Sequence, residues 1–189
     1  EEMSIAAIEV HRWTREDYER MTDQGFLGPE TRAELIDGII YDMAPQRSGH
    51  ATGVLLAQEE LRAICPPGFS VRAQTPLVLG DDSEPEPDVA VVPGSVLDYS
   101  KQHPTTALLI VEVADTSILH DRGRKRDLYA RHGIPEIWIS DLKARKLEVY
   151  RDPSQGIYRS RVILTLTDTI APLFSEQTPV AVSRLFPPD

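Results

Sequence analysis

The strongest constraint on the fold is the apolar run at residues 108–113, which is interrupted by one carboxylate, Glu112. A half-exposed strand alternates apolar and polar residues. This run does not, so it indicates a central strand that is buried on both faces. A helical segment at 118–132 and a strand at 136–140 follow it, so the three are predicted to form a β-α-β unit. Its crossover is right-handed if the two strands are parallel neighbours.

The rest of the sequence predicts more short elements around this unit. The pair Asp37-Gly38 marks a hairpin turn at 33–43, because such a tight turn needs positive φ. We expect an α/β fold of the α+β type with a mixed central sheet and flanking helices, in one domain (1–189) with a core at about 13–165 and a wrap at 166–189. Helices are predicted at 14–22 and 48–64, and further strands at 70–79, 87–92, 147–150 and 158–164.

Apolar patterning and cysteine content indicate the compartment. The chain has no run of about 18 apolar residues, and its first 30 positions lack the pattern of a signal peptide, so we expect no membrane contact and a cytoplasmic protein. The single cysteine, Cys65, cannot close an internal disulfide and has no spaced partners for a zinc site.

The net charge of −10 weakens the case for binding a polyanion such as DNA. Residues 1–118 hold 8 Lys and Arg against 21 Asp and Glu, whereas residues 119–189 hold 12 against 9. The basic charge therefore lies late in the chain. Carboxylates that bind divalent cations also add negative charge, which the metal offsets locally.

Three carboxylates stand at positions where a strand should be buried. An ionised Glu112 in a buried strand is costly unless it is paired with a cation or binds a metal. Each carboxylate also has an alternative interpretation. Glu112 could form a salt bridge to an arginine, Asp88 could be a turn residue, and Glu34 could occupy a solvated strand position.

The segment that follows the strand of Glu112 carries the densest positive charge. Lys125 lies one helical turn from Asp121 and one from Tyr129, so these side chains share a face, although a surface pair with Asp121 is equally compatible with this spacing. Phosphate contacts are expected from basic residues here, and a solvated basic face is the alternative. The candidates for nucleic-acid contact are Arg122, Arg124 and Arg126.

The order and spacing of five motifs resemble the Uma-two (Uma2) family of restriction-endonuclease-like nucleases, over about residues 13–165. The motifs are Glu34-Leu35-Ile36-Asp37-Gly38, Glu86-Pro87-Asp88-Val89, Val111-Glu112-Val113, Asp121-Arg122-Gly123-Arg124-Lys125 with Leu128-Tyr129-Ala130, and Gly133-Ile134-Pro135-Glu136-Ile137-Trp138.

The resemblance implies roles for particular residues. Asp88 and Glu112 would be the metal-binding carboxylates, Glu34 the additional acidic ligand, and Lys125 the catalytic lysine. Ala114 occupies the position two after Glu112 where the superfamily's lysine usually stands, so the sequence resembles members in which the lysine has moved to the neighbouring helix. His50 and Tyr129 also match family positions and are second-rank site candidates.

The function implied is that of a Mg²⁺- or Mn²⁺-dependent endonuclease that hydrolyses DNA phosphodiester bonds with a metal-bound water as nucleophile. Hard carboxylate ligands suit these ions. A homodimer is expected. The alternatives are a catalytically silent module for protein interaction or regulation, and a hydrolase of another phosphodiester such as RNA.

Overall fold

The computed structural model describes residues 10–28, 31–115 and 117–188, so residues 1–9, 29–30, 116 and 189 of the predicted domain lie outside the described part. Two helices are α1 (Arg15–Asp23) and α2 (Ser48–Ile64). A third, α3, consists of three consecutive stretches, Ile118–His120, Asp121–Lys125 and Arg126–Arg131. The strands are β1 (Ala33–Ile36), β2 (Ile39–Asp42), β3 (Phe69–Ala73), β4 (Val89–Pro93), β5 (Leu109–Ala114), β6 (Glu136–Asp141), β7 (Lys146–Ser154), β8 (Ile157–Thr165), β9 (Thr169–Ile170) and β10 (Val180–Ala181).

A six-stranded mixed sheet forms the centre of the fold, in the order β3-β4-β5-β6-β7-β8. Only the β5–β6 pair in this sheet is parallel, and α3 connects these two strands. The predicted fold class and the parallel β-α-β unit are therefore confirmed. The β1–β2 hairpin forms a separate two-stranded sheet.

Strand β5 separates two apolar clusters. One cluster contains Val111 and Val113 together with residues of α2, and the other contains Ile110 and Ala114 together with residues of α3. Since side chains alternate along a strand, Glu112 shares the face of Ile110 and Ala114. The central strand therefore presents its one carboxylate on the side of the sheet that α3 covers.

Several local predictions agree with the structure. Helix α1 lies at the predicted 14–22 within one residue, with Thr14 and Asp17 forming a capping box at its start, and α2 spans the predicted 48–64. The β1–β2 turn has positive φ at both Asp37 (50°) and Gly38 (73°). Position 38 also has no room for a side chain, because a Cβ on Gly38 would lie 2.7 Å from Cβ of Arg12.

The predicted strand at 70–79 is wrong in its second half, since β3 ends at Ala73. Gln74 takes a positive φ of 50°, and Pro76 has no amide hydrogen to donate to a ladder. Leu77 and Leu79 are buried, but their amides donate within the same loop, to the carbonyls of Pro85 and Ser83. Their apolar character reflects burial without strand pairing.

The predicted uninterrupted helix at 118–132 instead contains a π-helical stretch, Asp121–Lys125. The amide of Arg126 donates to the carbonyl of Asp121, five residues earlier, rather than to that of Arg122. Such wider turns occur mostly as single insertions in α-helices, frequently at functional sites. Here the stretch contains Asp121 and Lys125, both of them buried.

The last segment covers the α2 side of the sheet. Strands β9 and β10 pair with each other, and Val182, Leu185 and Phe186 join the apolar cluster of α2. Among the helices of the described residues, none is long and apolar enough to cross a membrane.

Candidate active site

Four secondary-structure elements bring the four principal candidates together. Glu34 lies on β1, Asp88 directly precedes β4, Glu112 lies on β5, and Lys125 ends the π-helical stretch of α3. Their exposed fractions are 4%, 7%, 2% and 4%, respectively. The solvated alternative for Glu34 and the surface alternative for Lys125 therefore do not describe this structure.

Asp88 and Glu112 are neighbours because β4 and β5 are paired. The register that opposes Val89 and Val111 brings the preceding Asp88 beside Glu112. The amide of Val113 donates to Oδ2 of Asp88 at 2.8 Å, and the amide of Asp88 donates to Oε2 of Glu112 at 3.4 Å. Backbone hydrogen bonds thus fix both carboxylates relative to the sheet.

Lys125 joins the hairpin to the central sheet through its ammonium group. Its Nζ lies 3.0 Å from Oε2 of Glu34 and 3.3 Å from Oε1 of Glu112. Ala114 stands two positions after Glu112, where the resemblance places the usual lysine. In this structure the ammonium of Lys125, from the π-helical stretch of α3, lies beside Glu112 instead. The counter-charge of Glu112 is therefore this lysine rather than an arginine.

The two second-rank candidates each contact a principal carboxylate. The hydroxyl of Tyr129 donates to Oε1 of Glu112 at 2.6 Å, and Nε2 of His50 lies 3.1 Å from Oδ1 of Asp88. Gln74, which the sequence did not single out, also donates to this Oδ1, at 3.3 Å. These contacts set the orientation of both carboxylates.

Two further residues of the site, His120 and Asp121, were not predicted as site residues. Nε2 of His120 lies 3.4 Å from Oε1 of Glu34. Asp121 is buried and accepts a hydrogen bond of 2.6 Å from the hydroxyl of Ser117. The spacing of Asp121 one turn before Lys125 was the available sequence signal, and it suited a surface pair equally well.

Of the three arginines expected to contact nucleic acid, Arg122 binds carboxylates away from the pocket. Its Nε donates to Glu148 at 2.7 Å and its Nη2 donates to Asp141 at 2.9 Å. Both acids are buried, on β7 and β6. The structure therefore places Arg122 in an ion-pair network of the sheet.

The other two arginines differ in their surroundings. Arg126 pairs with Asp127 at 2.7 Å and lies over the ring of Tyr150. Arg124 is exposed, with its guanidinium carbon 5.7 Å from the ring centre of Tyr41. Because Tyr41 lines the pocket that contains the candidate carboxylates, Arg124 lies at the pocket's edge.

The pocket has a volume of about 270 Å³, and its buried carboxyl groups outnumber its buried cations. Glu34, Asp88, Glu112 and Asp121 line it together with Lys125. Burial raises the pKa of Glu112 to about 8, an effect that the charges of Asp88 and Asp121 increase and that of Lys125 opposes. One ammonium does not balance these carboxylates.

Lys125 affects the protonation of its two partners differently. Burial alone would raise the pKa of Glu34, but the ammonium of Lys125 lowers this pKa to about 2. Burial likewise disfavours the charged lysine, yet the charges of Glu112 and Glu34 raise the pKa of Lys125 well above its usual value. Lys125 therefore remains protonated and gives the pocket a fixed positive charge.

The chemistry of these residues fits a hard divalent cation. Within the described ranges, no three His, Cys, Asp or Glu side chains form a preassembled coordination cluster. Mg²⁺ does not require one, because it keeps several waters and binds through one or two carboxylates plus substrate phosphates. Asp88 and Glu112, adjacent and short of counter-charge, match that requirement.

The raised pKa of Glu112 predicts a pH dependence of stability. Because the folded pKa (about 8) exceeds the ordinary value of 4.5, folding favours the protonated form, and this stabilisation is lost as pH rises between them. We expect the free energy of unfolding in metal-free buffer to fall with pH by at most about 1.4 kcal/mol per unit. His50, whose pKa is raised by its bond to Asp88, acts in the same direction.

Urea denaturation across this range measures the effect, with the Glu112→Gln variant as control. The variant should show a flatter dependence, since it lacks the titrating group. An equally steep decline in the variant would assign the dependence to other groups.

Comparisons with known proteins agree with this fold. The model of a family described as "Uma2: Putative restriction endonuclease" matches residues 15–182. A crystal structure of "a putative nuclease belonging to DUF820" from Anabaena variabilis superposes with a TM-score of 0.71 at 15% identity, covering 92% of this chain and 97% of that one. No curated protein matches the sequence. At this identity the structural likeness establishes the shared fold.

Proposed function

The chain belongs to the Uma2 family of restriction-endonuclease-like proteins, and from this membership and the geometry of the site we propose that it is a metal-dependent endonuclease that hydrolyses DNA phosphodiester bonds. The proposal assigns Asp88 and Glu112 as metal ligands, with Glu34 as the additional acidic residue. Lys125 is the proposed catalytic lysine.

One observation carries the proposal: a single buried lysine contacts two of four carboxylates that line one pocket. Buried charges are usually paired, so an unbalanced group of carboxylates indicates a site that receives positive charge from outside the chain. Asp88 and Glu112 would hold a divalent cation that supplies this charge, and Lys125 would contact the phosphate of a substrate.

Each residue has a distinct role in the proposed reaction. When bound, Mg²⁺ or Mn²⁺ acts as a Lewis acid and lowers the pKa of water. Lys125, which stays protonated, stabilises negative charge that develops on the phosphate. Tyr129 and His50 orient Glu112 and Asp88 through the hydrogen bonds described above.

The test is a cleavage assay on supercoiled, linear and single-stranded circular DNA with Mg²⁺, Mn²⁺ or EDTA. We expect cleavage with either cation and none in EDTA. The Asp88→Asn variant, purified in parallel, should be inactive because it lacks a ligand. Equal activity of the two proteins would indicate a contaminating nuclease and contradict the proposal.

A catalytically silent module is the second candidate, favoured by the net charge of −10 and by the engagement of Arg122 with Glu148 and Asp141. Calorimetry with Mn²⁺ separates the two. Binding that Glu112→Ala abolishes supports the enzyme, whereas no binding at millimolar metal supports the silent module.

We propose a homodimer for the case in which both strands of a duplex are cut, because cutting two strands would use two sites.

A further inference from the structure

We propose that the site takes its nucleic acid as a single strand rather than as a continuous duplex. In this proposal, Arg47 and Lys143 hold backbone phosphates at the pocket edge, and the ring of Tyr41 with the guanidinium of Arg124 receives a base. The inference rests on the proposed nuclease function and specifies its substrate class.

The depth of the site favours a flexible strand. Asp88, Glu112 and Lys125 are each less than 10% exposed, and they are reached through a pocket of only about 270 Å³. A duplex is stiff over about 150 base pairs, so a sharp bend that would insert one phosphate into a narrow pocket costs deformation energy. A single strand can turn at every nucleotide and place one phosphate inside.

Two exposed cations lie beside this pocket. The side chains of Arg47 and Lys143 are 74% and 68% exposed and approach Asp115 at 3.9 and 4.0 Å. Arg47 and Asp115 both line the pocket. The amide of Leu142 donates to the carbonyl of Ala114, so the next residue, Lys143, lies beside Asp115. Such long, exposed ion pairs contribute little, so both cations can turn to a phosphate.

An aromatic group for base stacking lies on the same pocket. The ring centre of Tyr41 is 5.0 Å from that of His120, and the Arg124 guanidinium lies over the Tyr41 ring at 5.7 Å. Unpaired bases stack on aromatic rings and on guanidinium planes, whereas the bases of a duplex are already stacked on one another. This group therefore recognises a feature that single strands expose.

The charge of the protein points in the same direction. With a net charge of −10, the chain is poorly suited to a duplex, whose affinity for proteins depends largely on cationic contacts to many phosphates. A few edge cations together with base stacking suit a short single strand, which carries a lower charge density.

The experiment measures fluorescence anisotropy of labelled oligonucleotides of about 16 units in EDTA: single-stranded DNA, single-stranded RNA and the matching DNA duplex. We expect the single strands to bind at least about tenfold more tightly than the duplex. The Tyr41→Ala variant should bind them about tenfold more weakly, whereas Tyr41→Phe, which keeps the ring, should bind as the wild type does.

A double variant, Arg47→Gln with Lys143→Gln, tests the phosphate contacts without removing buried groups. Two lost contacts should lower the slope of log affinity against log salt by about 1.4. The matched control is Arg184→Gln, an exposed arginine paired with Glu60 on the far half of α2. It should leave the slope unchanged.

Duplex binding as tight as that of the single strands, or an unchanged salt slope in the double variant, would overturn the inference. Binding in EDTA is independent of catalysis, so the two proposals fail separately. Duplex preference together with metal-dependent cleavage overturns only the single-strand inference. Selective single-strand binding without cleavage by any metal supports the binding surface and overturns the nuclease function.

Discussion

The Lys125→Met variant should lose about 3–5 kcal/mol of unfolding free energy near pH 8. The substitution leaves Glu34 buried without the ammonium that lies 3.0 Å from it and lowers its pKa to about 2. Removing one partner of a buried ion pair costs far more than the pair itself contributes, because the remaining charge is uncompensated. Urea denaturation followed by circular dichroism measures the loss.

The pH dependence of this loss identifies its cause. At pH 5 the loss should be smaller, because Glu34, whose pKa rises once its counter-charge is gone, takes up a proton and becomes neutral. Lys143→Met, which removes an exposed lysine, is the control and should change stability by no more than about 0.5 kcal/mol. A Lys125→Met variant as stable as the wild type at pH 8 would show that the ammonium does not stabilise these carboxylates.

The Glu112→Gln variant should lose catalysis while it keeps its fold. Its cleavage rate with Mg²⁺ should fall by about 10²–10³-fold or more, the size of effect seen when one electrostatic group is removed from an active site. In metal-free buffer at pH 7 the variant should be as stable as the wild type, because Glu112, with a pKa of about 8, is already mostly neutral. Gln keeps the shape and can still accept the hydrogen bond of Tyr129.

Parallel measurement of cleavage and denaturation distinguishes this outcome from simple misfolding. Glu59→Gln, an exposed carboxylate on α2, is the matched control and should retain full activity. A Glu112→Gln variant with wild-type cleavage would exclude Glu112 as a ligand. A variant that is both unstable and inactive would assign Glu112 a structural role.

Features that depend on local sequence were predictable. The burial of β5 follows from its apolar run, and the cost of burying a carboxylate in such a run makes Glu112 a site candidate on the sequence alone. The hairpin followed from the positive φ that Asp37-Gly38 permits. These inferences need only neighbouring residues.

Features that depend on distant contacts were not predictable. The position of Arg122 is determined by Glu148 and Asp141, which come from other strands and whose proximity no local pattern reveals. The π-helical stretch of α3 was missed because its residues are compatible with an ordinary helix, and the site contact of Lys125 arises from tertiary packing. Leu77 and Leu79 were assigned to a strand because a buried loop has the same apolar signal as a strand.

The most direct test of the metal site is a crystal structure of the protein soaked in Mn²⁺, with anomalous scattering used to locate the ion. We expect one peak in contact with the carboxylates of both Asp88 and Glu112, within the pocket of Lys125, and its loss in Glu112→Gln. The absence of a peak there at saturating Mn²⁺, or a peak that persists in Glu112→Gln, would contradict the assignment of these residues as metal ligands.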